Sequence, residues 1–443
     1  MLTDLLRQRV REDGDAVFLR TTSAALTYRE ILVRASALAE RLRRFAGSSV
    51  GFVADDVLDA ITFLFAACEV GAEACLYPAH SSRSAVLDFA ERFGHVPLAL
   101  QSDGRVTVIG GDESVTMTGA GASVSVLTSG TTGKPKATRH RYGSLVASAA
   151  QGREPDSITD AVWLLAYNVN QYAGLQVLAY VLKTGAALVI PPDNRPVTAL
   201  ESMIRHGVTH VSATPTFWRV LLAALVHDQQ RAPELRQITL GGEAVSESLL
   251  RELAAQFPAA RISHIYATSE IGSAIAVSDG KAGLPATILD RGAGAPVRFR
   301  IADGELQARS QVGMFGYHGA EISCDDWVST GDLVELRDGR VHFVGRVGSV
   351  INVGGIKVPP LPVEEVIGAV AGVELVRVYG RANPITGNIV AADVVARPGF
   401  DSSELRRDIA SACEVLPDAH RPRIVKMLDS LPTIQHKVDR RQL

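Results

Sequence analysis

The sequence predicts an α/β protein with a large N-terminal region of helices packed on parallel-type sheets. A β-rich subdomain and a small α+β unit at the C-terminal end complete it. Three observations carry this expectation. Short apolar runs alternate with helix-length segments up to residue 266, the pattern of strands joined by crossover helices. Between residues 297 and 344 the hydrophobic period falls to two, with Asp-Gly turns at 303–304 and 338–339, as in antiparallel hairpins. Beyond Arg346 a second, shorter alternation of strand and helix begins. A chain of 443 residues exceeds one ordinary core, so two or three such units are expected.

Taken in order, residues 2–45 read as mainly helical, broken by an extended piece at 16–19. Thr27, with Glu30 three residues later, is a capping-box signature for a helix start. A strand at 49–53, a helix from 57, a turn at Gly71, a strand at 74–77 and a helix at 82–93 follow. The apolar stretch 57–76 contains Asp59, Glu69 and Glu73, so it reads as buried helix, turn and strand rather than a membrane span. A strand at 124–127 enters a glycine-containing loop, and a helix is expected at 140–151. Strands at 162–166, 186–190 and 208–213 then alternate with helices at 174–182 and 217–226.

A strand at 237–240 runs into Gly241-Gly242-Glu243, and Ser246 can cap the helix that ends at 257. The strand 261–266 ends in Ala267-Thr268-Ser269-Glu270. Antiparallel strands are expected at 297–301, 304–309, 334–336 and 342–344, with Thr330-Gly331-Asp332 between two of them. The last unit holds a strand at 350–353, a Gly354-Gly355 turn and a helix opened by Pro362. Strands at 375–379 and 389–395 and a helix at 402–413 lead into the polar tail 430–441.

A formal charge of −3 argues against nucleic-acid binding through a broad basic surface. Four cysteines lack metal-ligand spacing and read as free thiols, with Cys68 buried in an apolar run. The charged N-terminus has no signal-peptide core, so a cytoplasmic protein with no membrane insertion is expected. Only seven lysines occur among 45 basic residues, so each retained lysine marks a place where a compact ammonium is useful.

Two of those lysines stand in Thr128-Ser129-Gly130-Thr131-Thr132-Gly133-Lys134-Pro135-Lys136. Two glycines free to take positive φ let backbone N–H groups converge, while four hydroxyls and two ammonium groups add donors and charge. This is the chemistry that holds a polyphosphate, although Pro135 after Lys134 departs from a Walker loop. Downstream features have an ordinary reading when taken singly. Glu270 is a surface carboxylate or a Mg²⁺ ligand; Asp332 is a turn residue or an acceptor for ribose hydroxyls. Tyr266 is a core residue or an adenine-stacking face, Gly241-Gly242 relieves crowding or admits a flat base, and Lys437 is solvated or reactive.

In their order these residues resemble the ANL superfamily of adenylate-forming enzymes, which includes acyl-CoA synthetases, adenylation domains of peptide synthetases and firefly luciferase. The resemblance spans about residues 27–441 and rests on seven blocks: 128–136, 241–243, 266–270, 304–317, 329–332, 345–358 and 432–441. It implies an N-terminal adenylation (AMP-binding) domain at 1–347 and a mobile C-terminal domain at 348–443. It implies that Thr128, Ser129, Gly130, Thr131, Thr132, Gly133, Lys134 and Lys136 cradle the ATP phosphates and that Glu270 organises Mg²⁺. Gly241, Gly242, Glu243, Tyr266, Ala267 and Ser269 would border adenine, Asp332 and Arg346 would take the ribose, and Lys437 would bridge the substrate carboxylate and the forming adenylate. Gly354, Gly355 and Lys357 would form the face that serves thiol transfer after the C-terminal domain rotates.

Ala267 and Ser269 replace the family's usual Gly and Thr, and Gly348 occupies the hinge position often held by Asp or Lys. The chain is shorter than typical members before the phosphate loop and between Glu270 and Asp332, which favours an aryl or small acyl acid. Relatives acting on salicylate-like acids carry an Asn where Asn168 stands; a plain turn Asn is the alternative, and Tyr172 and Ser212 are its candidate neighbours. The implied activity is ATP-dependent acid activation followed by transfer to a thiol, with coenzyme A as the first choice. A carrier-protein phosphopantetheine or an amine is the alternative acceptor, and a non-catalytic nucleotide-binding protein the remote one; intact Glu270, Asp332 and Lys437 argue against the last.

Overall fold

Two eight-stranded sheets dominate the computed structural model, which describes residues 1–101, 103–110, 121–128, 135–149, 160–227, 231–434 and 437–438. One sheet runs Gly272–Val277, Arg261–Thr268, Gln237–Gly241, His210–Ala213, Val162–Leu165, Ala187–Val189, Val17–Arg20, Ala25–Thr27. Its strands are parallel from Arg261–Thr268 through Val17–Arg20, with antiparallel pairs only at the two edges. Burial on both faces explains why these strands read as continuous apolar runs. Trp163 and Leu165 face one cluster, whereas Leu164 and Ala166 face another, formed with helices Pro196–His206, Pro215–His227 and Glu247–Gln256.

The first cluster is a helical layer between the two sheets. It joins Leu188 and Trp163 to Phe52, Leu98 and Val126 of the second sheet through helices Leu2–Asp13, Tyr28–Leu42, Val57–Glu69 and Tyr172–Thr184. The Tyr28–Leu42 helix begins with the expected box, Thr27 Oγ1 accepting from the Glu30 N–H and Glu30 accepting from the Thr27 N–H. Cys68 is buried in this layer.

Residues 136–141 differ from the expected helix at 140–151. They form the strand Lys136–Arg141, which returns antiparallel to Ser123–Thr128, and the helix is Tyr142–Ala149. The polar composition of this strand hid it: Arg139 is satisfied by the buried Glu73 carboxylate at 2.6 Å, with Ser123 and Ser125 donating to the same group. Elements without an expectation above include the helix Pro196–His206 and the strands Val96–Leu100, Val106–Val108, Gly272–Val277 and Ile424–Leu428.

A five-stranded antiparallel sheet, Leu284–Pro285, Arg340–Arg346, Val328–Arg337, Glu305–Ser310, Val297–Ala302, accounts for the period-two region. Thr330-Gly331-Asp332 lies inside the ten-residue strand Val328–Arg337 rather than between strands. Its register against Arg340–Arg346 shifts just after Leu333, and such a bulge re-aims the neighbouring side chains.

After Gly348, at φ +91°, the chain enters the last sheet: Ile356–Val358, Ile351–Val353, Gly387–Ala396 and Val373–Asn383, with Ile424–Leu428 parallel to Gly387–Ala396. Helices Pro360–Gly368 and Ser402–Ala412 contribute to its own core. A short hairpin, Thr433–Ile434 with Lys437–Val438, ends the described chain. Among the described residues no helix is long and apolar enough to cross a membrane.

Candidate active site

Four neighbouring parallel strands end side by side, and their C-terminal turns carry the candidate residues. Val162–Leu165 leads to Tyr167 and Asn168, His210–Ala213 to Thr214, Gln237–Gly241 to Gly242 and Glu243, and Arg261–Thr268 to Ser269 and Glu270. This crevice at the carboxyl ends of an open parallel sheet is the usual ligand position in α/β proteins.

The tail reaches this crevice from the C-terminal unit. Gly242 turns at φ +84°, and a Cβ placed on it would lie 2.9 Å from Cε and 3.0 Å from Nζ of Lys437. The same Cβ would be 4.0 Å from the Thr214 methyl, so Lys437 lies over the backbone of the glycine turn beside Thr214. Glu243 fixes the next residue: its Oε1 accepts the Val438 N–H at 3.2 Å and its Oε2 accepts the Thr216 N–H at 3.0 Å.

Asp332 projects from the bulged strand into a second polar group. Its Oδ2 accepts the Tyr266 hydroxyl at 2.7 Å and its Oδ1 lies 3.1 Å from Nε of Arg346. Burial pushes the Asp332 carboxyl above its ordinary range, while Arg346, Tyr266 and the ammonium of Lys437 pull the other way. The side chain still exposes 16% of its surface, which leaves an oxygen edge for a ligand hydroxyl. Burial, with the Asp332 charge second, holds the Tyr266 phenol well above its usual range, so this hydroxyl is a donor. The Tyr266 ring packs on Phe343 at 5.0 Å and on Phe299 at 6.1 Å.

Glu270 and Lys136 meet through Tyr317. The Tyr317 hydroxyl donates to Glu270 Oε1 at 3.4 Å, and Lys136 Nζ lies 5.1 Å from the ring centroid. Burial, then the Glu270 charge, pushes the Tyr317 phenol up to about 12. Thr128 pairs with Lys136 at the mouth of the phosphate-type loop, its Oγ1 donating to the Lys136 carbonyl at 3.5 Å. Ser129, Gly130, Thr131, Thr132, Gly133 and Lys134 lie outside the described residues. A Mg²⁺ ion commonly takes one or two carboxylates and completes its shell with substrate phosphates and water. The single Glu270 carboxylate, half-exposed beside the loop stem, fits that donor set.

The three acid-pocket candidates are unequal. Asn168 is half-exposed, and the Asn194 amide donates to its Oδ1 at 2.5 Å, which leaves the Asn168 NH₂ as the group it can present to a ligand. Ser212 is buried in its strand, level with Leu165 and Thr239. Tyr172 is buried beneath the Glu270 turn, its hydroxyl bonded to Ser148 at 2.9 Å and its ring 4.8 Å from His140, while Ser148 accepts the Ser273 N–H. Ala267 pairs with Ser273 across the sheet edge, and the Ser269 backbone faces His140.

Gly354 and Gly355 form a tight turn at φ +58° and +92°, and with Lys357 they are exposed to solvent. The structure thus brings Lys437 to the glycine turn and leaves the Gly354–Gly355 face outside. Thr214, Tyr167 and Tyr317 received no role from the sequence. Tyr167 donates to the Gly241 carbonyl at 3.2 Å, and Tyr317 ends the 304–317 block, the one signal that pointed to it.

The chain is similar to known proteins along most of its length. The family model described as AMP-binding enzyme matches residues 110–318, and that described as AMP-binding enzyme C-terminal domain matches residues 362–437. A medium/long-chain-fatty-acid–[acyl-carrier-protein] ligase, FadD10 of Mycobacterium tuberculosis, is 26% identical over 476 residues, covering 91% of this chain and 86% of that protein. The 2-succinylbenzoate–CoA ligase of Listeria monocytogenes is 27% identical over 335 residues, covering 73% of this chain and 69% of its own. The crystal structure of the anthranilate CoA ligase AuaEII in complex with anthranoyl-AMP superposes with a TM-score of 0.83 at 18% identity, covering 99% of this chain and 95% of that one.

Proposed function

The chain belongs to the ANL superfamily of adenylate-forming enzymes, and on that footing we propose that it activates a carboxylic acid with ATP and passes the acyl group to a thiol, coenzyme A. In the first step a carboxylate oxygen attacks the α-phosphorus, the bond to the β-phosphate oxygen breaks, and pyrophosphate leaves. In the second a thiolate attacks the acyl carbonyl, AMP departs, and a thioester remains. The observation that carries this reading is Lys437 lying on Gly242 beside Thr214, at the crevice that Asp332 and Glu270 also face.

Each group then has a task. Lys437 offsets the repulsion between an anionic carboxylate and the α-phosphate, a preorganised charge aimed where negative charge gathers. Asp332, oriented by Tyr266 and Arg346, accepts from ribose hydroxyls. Residues 128–136 hold the departing pyrophosphate, and a bound Mg²⁺ at Glu270 supplies charge neutralisation there. Asn168 presents its NH₂ to an aryl or small acyl acid.

The division falls at residues 347 and 348, with positive-φ Gly348 as the swivel. In the orientation described, Lys437 serves adenylation. Rotation of residues 348–443 brings Gly354, Gly355 and Lys357 to the adenylate for transfer. A carrier-protein acceptor is the second reading, favoured by the resemblance to the acyl-carrier-protein ligase over 91% of the chain.

ATP–pyrophosphate exchange against a panel of aryl, short-chain and long-chain acids tests the first step. Adding coenzyme A, a phosphopantetheinylated carrier or an amine then identifies the acceptor. Absence of exchange with every acid, with ATP binding retained, would reduce the protein to a nucleotide binder.

A further inference from the structure

Glu243 bonds two parts of the molecule that the two-step reaction has to separate. Its Oε2 accepts the Thr216 N–H, in the first turn of helix Pro215–His227, where backbone donors lack intrahelical acceptors and the helix dipole favours an anion. Its Oε1 accepts the N–H of Val438, the residue after Lys437. One carboxylate therefore ties a rigid element of the N-terminal region to the tail strand that carries the lysine.

We propose that Glu243 is a positioning residue, a latch that holds the tail with Lys437 over the glycine turn and that has to open before acyl transfer. This rests on the two-step reading above. Each oxygen thus accepts a backbone N–H, one from the N-terminal region and one from the tail. The surroundings favour a contact that is firm yet separable. Val438 is buried with Leu375, Val395 and Leu431 of the C-terminal unit, and Val220 of helix Pro215–His227 packs against them, so a small apolar patch spans the same seam. A second ionic tie, Arg397 to Glu252 at 2.7 Å, crosses it with both side chains about one-third exposed. Arg219 lies buried beside these groups, donating to Ser246, and burial lowers its pKa while Glu252, Glu243 and Glu364 oppose that shift. Rotation of the C-terminal unit breaks the Val438 and Arg397 contacts together. Of the two polar ties, the Glu243 one bears on the lysine directly, because it fixes the adjoining peptide.

The test compares the whole protein with Glu243→Ala and Glu243→Gln; the amide keeps the shape but only one acceptor oxygen. Nitroxide labels at Val226→Cys and Val415→Cys, both exposed, in a Cys324→Ser background report the separation of the two regions by dipolar EPR. The expected result is a roughly tenfold fall in the ratio of latched to released conformer in Glu243→Ala. Glu243→Gln shifts in the same direction, and melting temperatures stay near that of the parent. Pyrophosphate exchange falls by a similar factor, and by more than thiolysis of a supplied acyl adenylate. An unchanged distance distribution, or equal loss of both half-reactions, overturns the latch. If no acid supports exchange even in the parent, the distance shift alone still establishes the latch, and it is the two-step reading that fails.

Discussion

Lys437 and Gly242 meet so closely that a single methyl group on the glycine would lie 2.9 Å from Cε and 3.0 Å from Nζ of the lysine. The contact joins the tail to the end of a central parallel strand, across nearly two hundred residues of chain. Gly242→Ala is therefore expected to displace the lysine and to strain a backbone already at φ +84°. A displacement of about 1 Å at a reacting group costs on the order of 10²-fold in rate. Pyrophosphate exchange should fall by about that factor, with thiolysis of a supplied adenylate largely retained. Exchange within about threefold of the parent would remove Lys437 from the reaction geometry.

Lys437→Ala addresses the charge itself. Removing one preorganised cation at a developing anion costs roughly 10²–10³-fold, so adenylate formation should fall by about that factor. Transfer from a supplied acyl adenylate should survive, since in the proposed transfer orientation the exposed Gly354–Gly355 face replaces the tail. Undiminished pyrophosphate exchange in Lys437→Ala would sink the assignment of the tail.

The Tyr266–Asp332 bond yields a different signature. Tyr266→Phe keeps the ring on Phe343 and Phe299 but removes the donor from a carboxylate, a bond worth about 1.5–3 kcal/mol when charged. If Asp332 binds ribose, the KM for ATP should rise about tenfold or more while kcat changes little. A fall in kcat at unchanged KM for ATP would place Asp332 elsewhere in the reaction.

These relationships were unevenly legible in the sequence. The alternation of apolar runs and helices exposed the parallel sheet because its strands are buried on both faces and read as Val/Leu-rich segments. The motif blocks singled out Gly242, Glu270 and Asp332 because each lies on a turn or bulge where a glycine or carboxylate is conspicuous, and Lys437 because lysine is rare in this chain. The strand Lys136–Arg141 stayed hidden because its buried cation is balanced by Glu73, sixty-six residues earlier in the chain. Pairing across such a distance leaves no local period. The same holds for Glu243: a glutamate after two glycines suggested a nucleotide border, whereas its two partners, Thr216 and Val438, come together only in three dimensions. Tyr172 read as a candidate neighbour of Asn168; its bond to Ser148 beneath the Glu270 turn is visible only in the fold.

That buried support region also predicts an acid sensitivity. Burial pushes His140 down from 6.5 to about 3, with the Ser269 backbone offsetting part of the effect, and burial lowers His95 to about 4. In the unfolded chain both take up a proton near pH 6.5, so the folded state binds fewer protons as the pH falls below that value. Stability from these neutral rings is complete above about pH 6.5 and is lost as the pH falls toward their folded values. For His140 alone, the decline from pH 7 to pH 5 amounts to about 2 kcal/mol, at 1.36 kcal/mol per pH unit. The His140 ring packs on Tyr172 at 4.8 Å, so His140→Phe can keep that packing while removing the titration. Unfolding free energies from urea titrations at pH 7 and pH 5 should differ by about 2 kcal/mol less in His140→Phe than in the parent. An equal decline in both proteins would show that the ring beneath the Glu270 turn does not remain neutral in the fold.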